Sequence, residues 1–149
     1  SQIGAWGRML TSYQLDYRTM PRRVLTFALD GDVTLPPAPV ADFSKPADPD
    51  FHSDPARERA GASLYSVHCG TCHGYEAVSA GRAPDLRRSA VPLVRAGFDA
   101  VVRDGALFAR GMPKFAIDDE EREAIRQYIR AQTHDPEIDK ETRFSGMDY

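Results

Sequence analysis

The sequence lacks three features that would place it in a broad class at once. It has no apolar run of about 20 residues, the length needed to span a bilayer. It has no excess of basic residues, since its net charge is −3, so the composition does not favour nucleic-acid binding. Its first ten residues, SQIGAWGRML, lack the charged start and apolar stretch of a signal peptide. We therefore expect no membrane span, no nucleic-acid partner, and either a processed chain or a piece of a longer one.

Composition divides the chain into three regions. Residues 1–34 contain one strand-like segment, RVLTFAL at 23–29, which a turn-forming DGD follows. This region has too little apolar material for its own core, so we expect it to dock on another surface. Residues 35–54 are rich in proline and aspartate and predict an extended linker, with Phe43 and Phe51 as possible anchors. A disordered segment would have the same composition.

Residues 55–149 carry mostly helical patterns. Asp54 is a favourable N-cap and Pro55 a favourable first helical residue, so a helix is expected from there to the first cysteine. Two short helical pieces follow, SAVPLVRAG and FDAVVRDG, with Gly97 and Gly105 as the expected stops.

The last helix has the clearest start signal of the chain. DEEREAIRQYIRAQ follows Asp118, and Glu121 lies three residues after that cap, which is the spacing of a capping box. The segment after it, 133–149, is polar and is expected to lie on the surface. The predicted fold class is mainly α, preceded by a short β segment and an extended proline-rich linker.

The chain has only two cysteines, and both lie in VHCGTCHG at 67–74. A disulfide between Cys69 and Cys72 would close a very small loop and remove little chain entropy. A thioredoxin-type dithiol expects a βαβ setting, and a zinc site would need four ligands from six consecutive positions. Haem attachment needs only two thiols for the two vinyl groups and His73 for the iron. The pattern favours haem, although it also occurs by chance.

A haem also needs a second axial ligand, and methionine is a common one. Met112 lies in a Gly-Met-Pro loop that suits the aiming of one side chain better than core packing, its usual use. Met9 and Met20 precede the linker, and Met147 lies in the polar tail. Met112 is therefore the candidate second ligand.

The stretch GRAPDLRRS offers residues that would surround such a haem. The carbonyl of Pro84 is a candidate acceptor for the ring N–H of His73, which would orient the ring and raise its basicity. Leu86 is a candidate to pack on the porphyrin. Three arginines are candidates for the haem propionates, with solvated surface side chains as the alternative: Arg82, Arg87 and Arg88.

Residues 55–133 resemble a class I c-type cytochrome. The family has a glycine in its first helix, an aromatic residue four positions later and the first haem cysteine four positions after that, and Gly61 and Tyr65 match this spacing. Its last helix carries an apolar residue and then an aromatic one, here Ile125 and Tyr128. The resemblance implies a class I cytochrome c fold in which the two helices cross at the glycine, where a side chain would force them apart.

The flanking segments resemble the C-terminal end of periplasmic quinohaemoprotein alcohol dehydrogenases. The resemblance rests on PRRVLTFALDGDVTLPPAP, the proline-rich linker, APDLRRS and GMPKF. It implies a propeller that holds pyrroloquinoline quinone (PQQ) and calcium, and this chain lacks nearly all of it. Both cofactors are therefore expected only in a partner domain. Residues 1–34 would be the end of that propeller or a docking arm, ahead of the linker at 35–54 and a cytochrome domain at 55–149.

These observations predict electron transfer in the periplasm, where oxidising chemistry suits haem attachment. One covalent haem c, bound by Cys69 and Cys72 and ligated by His73 and Met112, would accept electrons from a PQQ-dependent dehydrogenase domain or subunit. It would pass them to a small soluble acceptor, a copper protein or a cytochrome. The chain is not expected to be an enzyme by itself. Two alternatives stay open, a freestanding diffusible cytochrome c and a haem enzyme or sensor with an open iron site.

Overall fold

The first long helix begins at the predicted cap. The side chain of Asp54 accepts a hydrogen bond from the N–H of Arg57 at 3.1 Å, and Pro55 follows in the first helical turn, where a missing N–H costs nothing. The structure is a computed structural model, and it describes residues 7, 9, 10, 13, 15, 20–37, 39, 42–79 and 83–136.

Helices account for most of the described residues from 55 onward, and the mainly α fold class is confirmed. Between residues 55 and 134 the α-helices are α1 (Pro55–His68), α2 (Gly70–His73), α3 (Arg95–Val102) and α4 (Asp119–His134). One-turn 3-10 helices lie at Tyr75–Ala77, Leu86–Arg88, Val91–Leu93 and Phe108–Arg110.

The capping box predicted for the last helix is confirmed. The Asp118 side chain accepts the N–H groups of Glu120 and Glu121 at 2.9 and 2.8 Å, and the Glu121 carboxylate accepts the N–H of Asp118 at 3.1 Å. These bonds satisfy N–H groups that have no partner within a helix. The start of α4 is therefore fixed by residues next to it in the sequence.

Helices α1 and α4 cross at Gly61. A Cβ atom at this position would lie 2.0 Å from the Ala124 carbonyl oxygen and 2.9 Å from the Tyr128 Cβ. Next to the crossing, the rings of Tyr65 and Tyr128 have centroids 5.1 Å apart and are tilted by 50°. Ile125 is almost completely buried beside them. The close approach of the two backbones requires a residue without a side chain at Gly61.

The short helix α3 shows that one stop signal was misread. Gly97 was predicted to end a helix, but it lies inside α3. Phe98 and Val102, four residues apart, share the buried face of this helix, and their burial outweighs the entropy cost of one internal glycine. Gly105, just beyond the end of α3, has a φ of +77° and acts as the predicted stop.

The strand predicted over 23–29 is wrong, since residues 20–37 contain no regular secondary structure and no strand occurs elsewhere in the described residues. Val24, Phe27 and Leu29 are almost fully exposed. A β-strand needs a neighbouring strand for its backbone hydrogen bonds, and the described part of this chain offers none. Local β propensity alone does not supply that partner.

Residues 42–54, here called the linker strap, lie against α4. The guanidinium of Arg130 donates from Nε and Nη2 to the Asp48 carboxylate at 2.7 and 2.8 Å, and both side chains are nearly buried. Lys45 Nζ donates to the Thr133 carbonyl at 2.9 Å. These contacts hold this part of the proline-rich segment against the helical domain.

Both phenylalanines of the linker strap contact basic or aromatic side chains. The Phe51 ring stacks on the His134 imidazole, with centroids 4.5 Å apart and planes 7° apart. The Arg88 guanidinium lies 4.7 Å from the centre of the Phe43 ring. The polar tail was predicted to begin at 133, but Thr133 and His134 belong to α4. Residues 137–149 lie outside the described residues. Among those described, no helix combines the length and apolar character needed to cross a bilayer.

Candidate functional site

One helical turn brings three chemically reactive side chains together. The N–H groups of Cys72 and His73 both bond to the Cys69 carbonyl, at 3.1 and 2.9 Å. Residues at positions i, i+3 and i+4 of a helix share one face, and these three side chains line the same cleft. No disulfide joins the two cysteines.

The turn ends at a position that only glycine tolerates. Gly74 has a φ of +81°, and a Cβ atom there would lie 2.0 Å from the Val78 carbonyl oxygen. The buried hydroxyl of Tyr65 donates to the Gly74 carbonyl at 2.9 Å. Tyr65 therefore fixes the end of the cysteine motif, and it does so from behind the cleft.

The imidazole of His73 is oriented by one carbonyl group. His73 is only 5% exposed, and its Nδ1 lies 2.8 Å from the carbonyl oxygen of Pro84. Because a carbonyl can only accept, the proton of the neutral ring lies on Nδ1 and the lone pair on Nε2. Histidines that bind metals commonly have this arrangement, since the second bond fixes the tautomer and raises the basicity of the ligating nitrogen.

Burial keeps the first cysteine protonated. Cys69 is 8% exposed, and burial, with the neighbouring Cys72, raises the pKa of its thiol to about 12. A raised thiol pKa is unfavourable for a redox dithiol, which reacts through its thiolate. Within the described residues, no group of three or more His, Cys, Asp or Glu side chains is placed to hold a metal ion. The geometry therefore disfavours the redox-dithiol and zinc interpretations.

The cleft above this turn has a volume of about 370 Å³ and mostly apolar walls. That volume is within the usual range for small-molecule sites, about 300–1,000 Å³. Its walls come from the cysteine turn, the 83–93 segment, α3, the 107–113 loop and α4. The residues that line it are Cys69, Cys72, His73, Ala83, Pro84, Leu86, Ser89, Val91, Pro92, Phe98, Val101, Val102, Leu107, Arg110, Gly111, Met112, Pro113 and Ile129.

The loop that carries Met112 is held at both ends. Gly111 adopts a left-handed conformation, with a φ of +87°, at the end of a 3-10 turn. The N–H of Met112 bonds to the Leu107 carbonyl at 3.3 Å, and the N–H of Phe115 bonds to the last carbonyl of α3 at 2.8 Å. Pro113 further restricts the backbone of Met112. A half-buried methionine is thus presented to the same cleft as His73.

The structure brings together some of the predicted site residues and separates others. Cys69, Cys72, His73, Met112, Pro84 and Leu86 all line the cleft. Tyr65, Gly61, Ile125 and Tyr128 do not line it and lie at the crossing of α1 and α4 instead.

Of the arginines considered for the propionates, Arg87 and Arg88 do not line the cleft themselves, although Leu86 and Ser89 beside them do. Arg87 is buried and paired with Asp85, and Arg88 contacts the linker strap. Arg82 is outside the described residues. Arg110, which sequence reasoning missed, is the cation that lines the cleft in the described part of the chain. Its position two residues before Met112 was the available signal.

This set of donors fits a covalently bound haem. Two thiols face the cleft one helical turn apart, an imidazole nitrogen and a thioether sulfur belong to the same cleft, and the remaining walls are largely apolar. A porphyrin needs an apolar box, and covalent attachment needs thiols at this spacing.

Comparison with known proteins likewise finds cytochromes and quinohemoprotein dehydrogenases. The family model described as cytochrome c oxidase, cbb3-type, subunit III matches residues 56–129. The dehydrogenase subunit of the quinone alcohol dehydrogenase of Gluconobacter oxydans is 38% identical over 130 residues, 84% of this chain and 17% of that protein. The quinohemoprotein alcohol dehydrogenase ADH IIB of Pseudomonas putida is 33% identical over 141 residues, 89% of this chain and 20% of the relative.

A smaller relative and a solved structure extend the comparison. Cytochrome c550 of Pseudomonas aeruginosa is 42% identical over 82 residues, 46% of this chain and 51% of that protein. The structure of the quinohemoprotein alcohol dehydrogenase ADHIIG of Pseudomonas putida HK5 aligns with a TM-score of 0.63 at 32% identity, over 76% of this chain and 17% of that one. The chain thus spans about a fifth of the length of the alcohol dehydrogenases it matches.

Proposed function

Because residues 56–129 match the family model described as cytochrome c oxidase, cbb3-type, subunit III, we propose that this chain is a cytochrome c domain that transfers single electrons through one haem c. The observation that carries the proposal is the convergence of Cys69, Cys72, His73 and Met112 on one apolar cleft. When bound, haem c supplies the one-electron ferric/ferrous couple of its iron. The chain itself is an electron-transfer domain or subunit and not an enzyme.

Each of the four residues has a distinct role in this proposal. Cys69 and Cys72 would hold the haem covalently through their sulfur atoms, since both line the cleft. His73 would hold the iron through Nε2, because its Nδ1–H is bonded to the Pro84 carbonyl. Met112 would supply its thioether sulfur as the second iron ligand, and a thioether ligand favours ferrous iron and raises the potential.

The remaining cleft residues exclude water and set the local charge. Phe98, Val102 and Ile129 are buried and line the cleft, so the change in iron charge would occur in an apolar surrounding. Arg110 is the residue best placed to pair with a propionate, since it lines the same cleft. Arg87 is already paired with Asp85, which makes it the weaker candidate.

The proposed electron donor is a PQQ-dependent dehydrogenase domain or subunit. This rests on the relatives, which are named as quinone or quinohemoprotein alcohol dehydrogenases and are about five times as long as the matched region. Residues 1–34 would attach the cytochrome domain to that partner. We further propose a periplasmic location and a small soluble acceptor, a copper protein or a cytochrome.

The decisive experiment tests covalent haem. A pyridine haemochrome spectrum of the denatured, solvent-extracted protein is expected to show one haem c per chain. The Cys69→Ala/Cys72→Ala double variant is expected to lose the haem on extraction. A parent protein from which the haem is fully extracted, or which binds none, would refute the proposal.

A second experiment tests the distal ligand. The oxidised protein is expected to show a methionine-to-iron charge-transfer band that Met112→Ala abolishes. Met20→Ala is the matched control, because Met20 precedes the linker strap, does not line the cleft and should leave the band unchanged. Carbon monoxide binding by the untreated parent would instead support a haem enzyme or sensor with an open iron site.

The dehydrogenase partner is tested separately. Size-exclusion of the native preparation is expected to show this chain eluting with a large quinoprotein. Elution as a clean monomer would support a freestanding diffusible cytochrome c instead.

A further inference from the structure

A buried ion pair lies directly beside the residue whose carbonyl orients His73. The side chains of Asp85 and Arg87 are only 1% and 4% exposed. Arg87 donates from Nε to Asp85 Oδ1 at 3.1 Å and from Nη2 to Oδ2 at 2.7 Å. Asp85 Oδ1 also accepts the backbone N–H of Arg87 at 3.0 Å. Three hydrogen bonds thus lock these two residues together.

One peptide bond connects this pair to the Pro84 carbonyl that contacts His73. The carbonyl carbon of Pro84 is bonded to the nitrogen of Asp85, so the direction of this peptide plane depends on φ of Asp85 together with ψ of Pro84. Asp85 is the cap of the 3-10 turn Leu86–Arg88, with φ −67° and ψ 114°. The turn closes again when the N–H of Arg88 bonds to the Asp85 carbonyl at 3.2 Å.

Arg87, and not its neighbour Arg88, provides the rigid part of this arrangement. Arg88 lies 3.7 Å from the same carboxylate, but its Nη1 donates to the Asp42 carbonyl of the linker strap at 2.7 Å. The bidentate fork of Arg87 defines both the distance and the plane of the Asp85 carboxylate.

We propose that the Asp85–Arg87 pair is a positioning device that holds the Pro84 carbonyl on the ring N–H of His73, and so sets how strongly His73 donates to the iron; this rests on the proposed function. A buried ion pair is weak evidence for stability, because apolar residues of similar volume often do as well. The contribution of this pair is therefore its geometry. A looser pair lets the Pro84 carbonyl turn away and lowers the basicity of His73.

The sign of the effect follows from ligand basicity. A more basic imidazole stabilises ferric iron, and a less basic one favours ferrous iron. Loosening the Asp85–Arg87 pair should therefore raise the reduction potential. It should also speed the exchange of the His73 Nδ1–H with solvent, because that proton then spends more time without its acceptor.

Arg87→Lys in the haem-loaded full chain is the test, because it keeps the charge and removes the fork. NMR of the reduced protein is expected to show at least about tenfold faster exchange of the His73 Nδ1–H. Voltammetry is expected to show a higher potential, where a tenfold change in the ferric/ferrous constant corresponds to about 59 mV for one electron.

The matched control is Arg130→Lys. Arg130 forms the same bidentate pair with Asp48, at 2.7 and 2.8 Å and with similar burial, but neither residue lines the cleft. Its exchange rate and potential should equal those of the parent, even if its melting temperature falls. If Arg87→Lys lowers only the melting temperature, as this control does, the positioning role is overturned.

A second variant tests the same positioning role if Arg87→Lys does not bind haem. Asp85→Asn retains an oxygen acceptor for the turn and weakens the fork, so it should give the same faster exchange and higher potential; parent values for both would overturn the proposal. The two failures are distinguishable. A parent without covalent haem refutes the proposed function, whereas a haem-loaded parent with unresponsive variants refutes only the positioning role.

Discussion

Single residues with unusual backbone geometry carry much of the site. Gly74 and Gly111 both have positive φ values, +81° and +87°, and they end the turns that present His73 and Met112. They differ in surroundings, because a Cβ at Gly74 would strike the Val78 carbonyl, whereas nothing lies within 4 Å of a Cβ at Gly111. Substituting these two glycines in turn therefore separates the cost of backbone strain from the cost of steric overlap.

Gly111→Ala should lower the free energy of unfolding by about 1–2 kcal/mol, the cost of a left-handed conformation for a residue with a side chain. Gly74→Ala should lower it by about 2–5 kcal/mol, because overpacking is added to that strain. Denaturant titration of both variants measures the difference. Equal losses in the two variants would contradict the predicted clash at Gly74.

For single residues, the sequence could predict the chemistry of a site where the residues of the motif are close neighbours in the chain. Cys69, Cys72 and His73 share one turn, so their common face follows from helix geometry alone. The position of Arg87 was not predictable in this way. Its pairing with Asp85 and its burial depend on how the 3-10 turn packs on α4, and no periodicity in APDLRRS encodes that contact.

At the scale of elements, the crossing of α1 and α4 should be the most sensitive feature of the fold. Gly61→Ala places a methyl group 2.0 Å from a backbone oxygen of α4, and this atom cannot move without displacing the helix. We expect a loss of about 1–3 kcal/mol or more. Thermal unfolding followed by circular dichroism measures this loss.

Gly97→Ala is the control for that substitution. Gly97 also lies inside a helix, but a Cβ there would meet its nearest atoms at 3.9 and 4.0 Å, which is ordinary contact. Alanine should therefore stabilise α3 by about 0.5–1 kcal/mol through its higher helix propensity. A Gly61→Ala protein as stable as the parent would show that the two helices can separate at little cost.

The helices and the predicted strand also show what sequence patterns can and cannot determine. The start of α1 at Asp54 and the capping box at Asp118 depend on groups a few residues apart, and both predictions are confirmed. The strand at 23–29 depended on a partner that the described chain does not contain. Gly97 was misread because the burial of Phe98 and Val102 is a tertiary effect that a local stop signal ignores.

For the molecule as a whole, the linker strap should make stability depend on acidity. Hydrogen bonding from Arg130, together with His134, holds the pKa of the Asp48 carboxyl below its usual range. In the unfolded chain the Asp48 carboxyl has its ordinary pKa of about 3.9, so it binds a proton more readily there than in the folded protein. The stabilisation is fully present above about pH 4 and is lost as the pH falls through the lower, folded-state pKa.

Asp48→Asn should therefore have a lower free energy of unfolding than the parent at pH 7. This gap in unfolding free energy should narrow towards pH 3. Chemical denaturation at both pH values measures this gap. Asp104→Asn is the control, since the pair of Asp104 with Arg103 is about half exposed and an exposed pair contributes little. A gap of constant size at both pH values would exclude the Asp48 carboxylate as its cause.

The pairing of the linker strap with α4 also marks the limit of sequence interpretation for the whole chain. The composition of 35–54 predicted an extended linker, and Phe43 and Phe51 were proposed as anchors. The residues that the linker strap contacts lie far along the chain from it; Asp48 and Arg130, for example, are 82 positions apart. Such pairings follow from the packed domain and not from any local pattern.

The cysteine turn and the Met112 loop differ in how much of the chain must be folded to form them. Cys69 to His73 needs one helical turn, whereas Met112 reaches the cleft only when α3 and the 107–115 segment are in place. Loops with few buried contacts open at a lower free energy than packed helices, and Met112 lies in such a loop. Under the proposed function, heating or mild denaturant should thus detach the Met112 sulfur well before His73, giving the two iron ligands unequal lifetimes under stress.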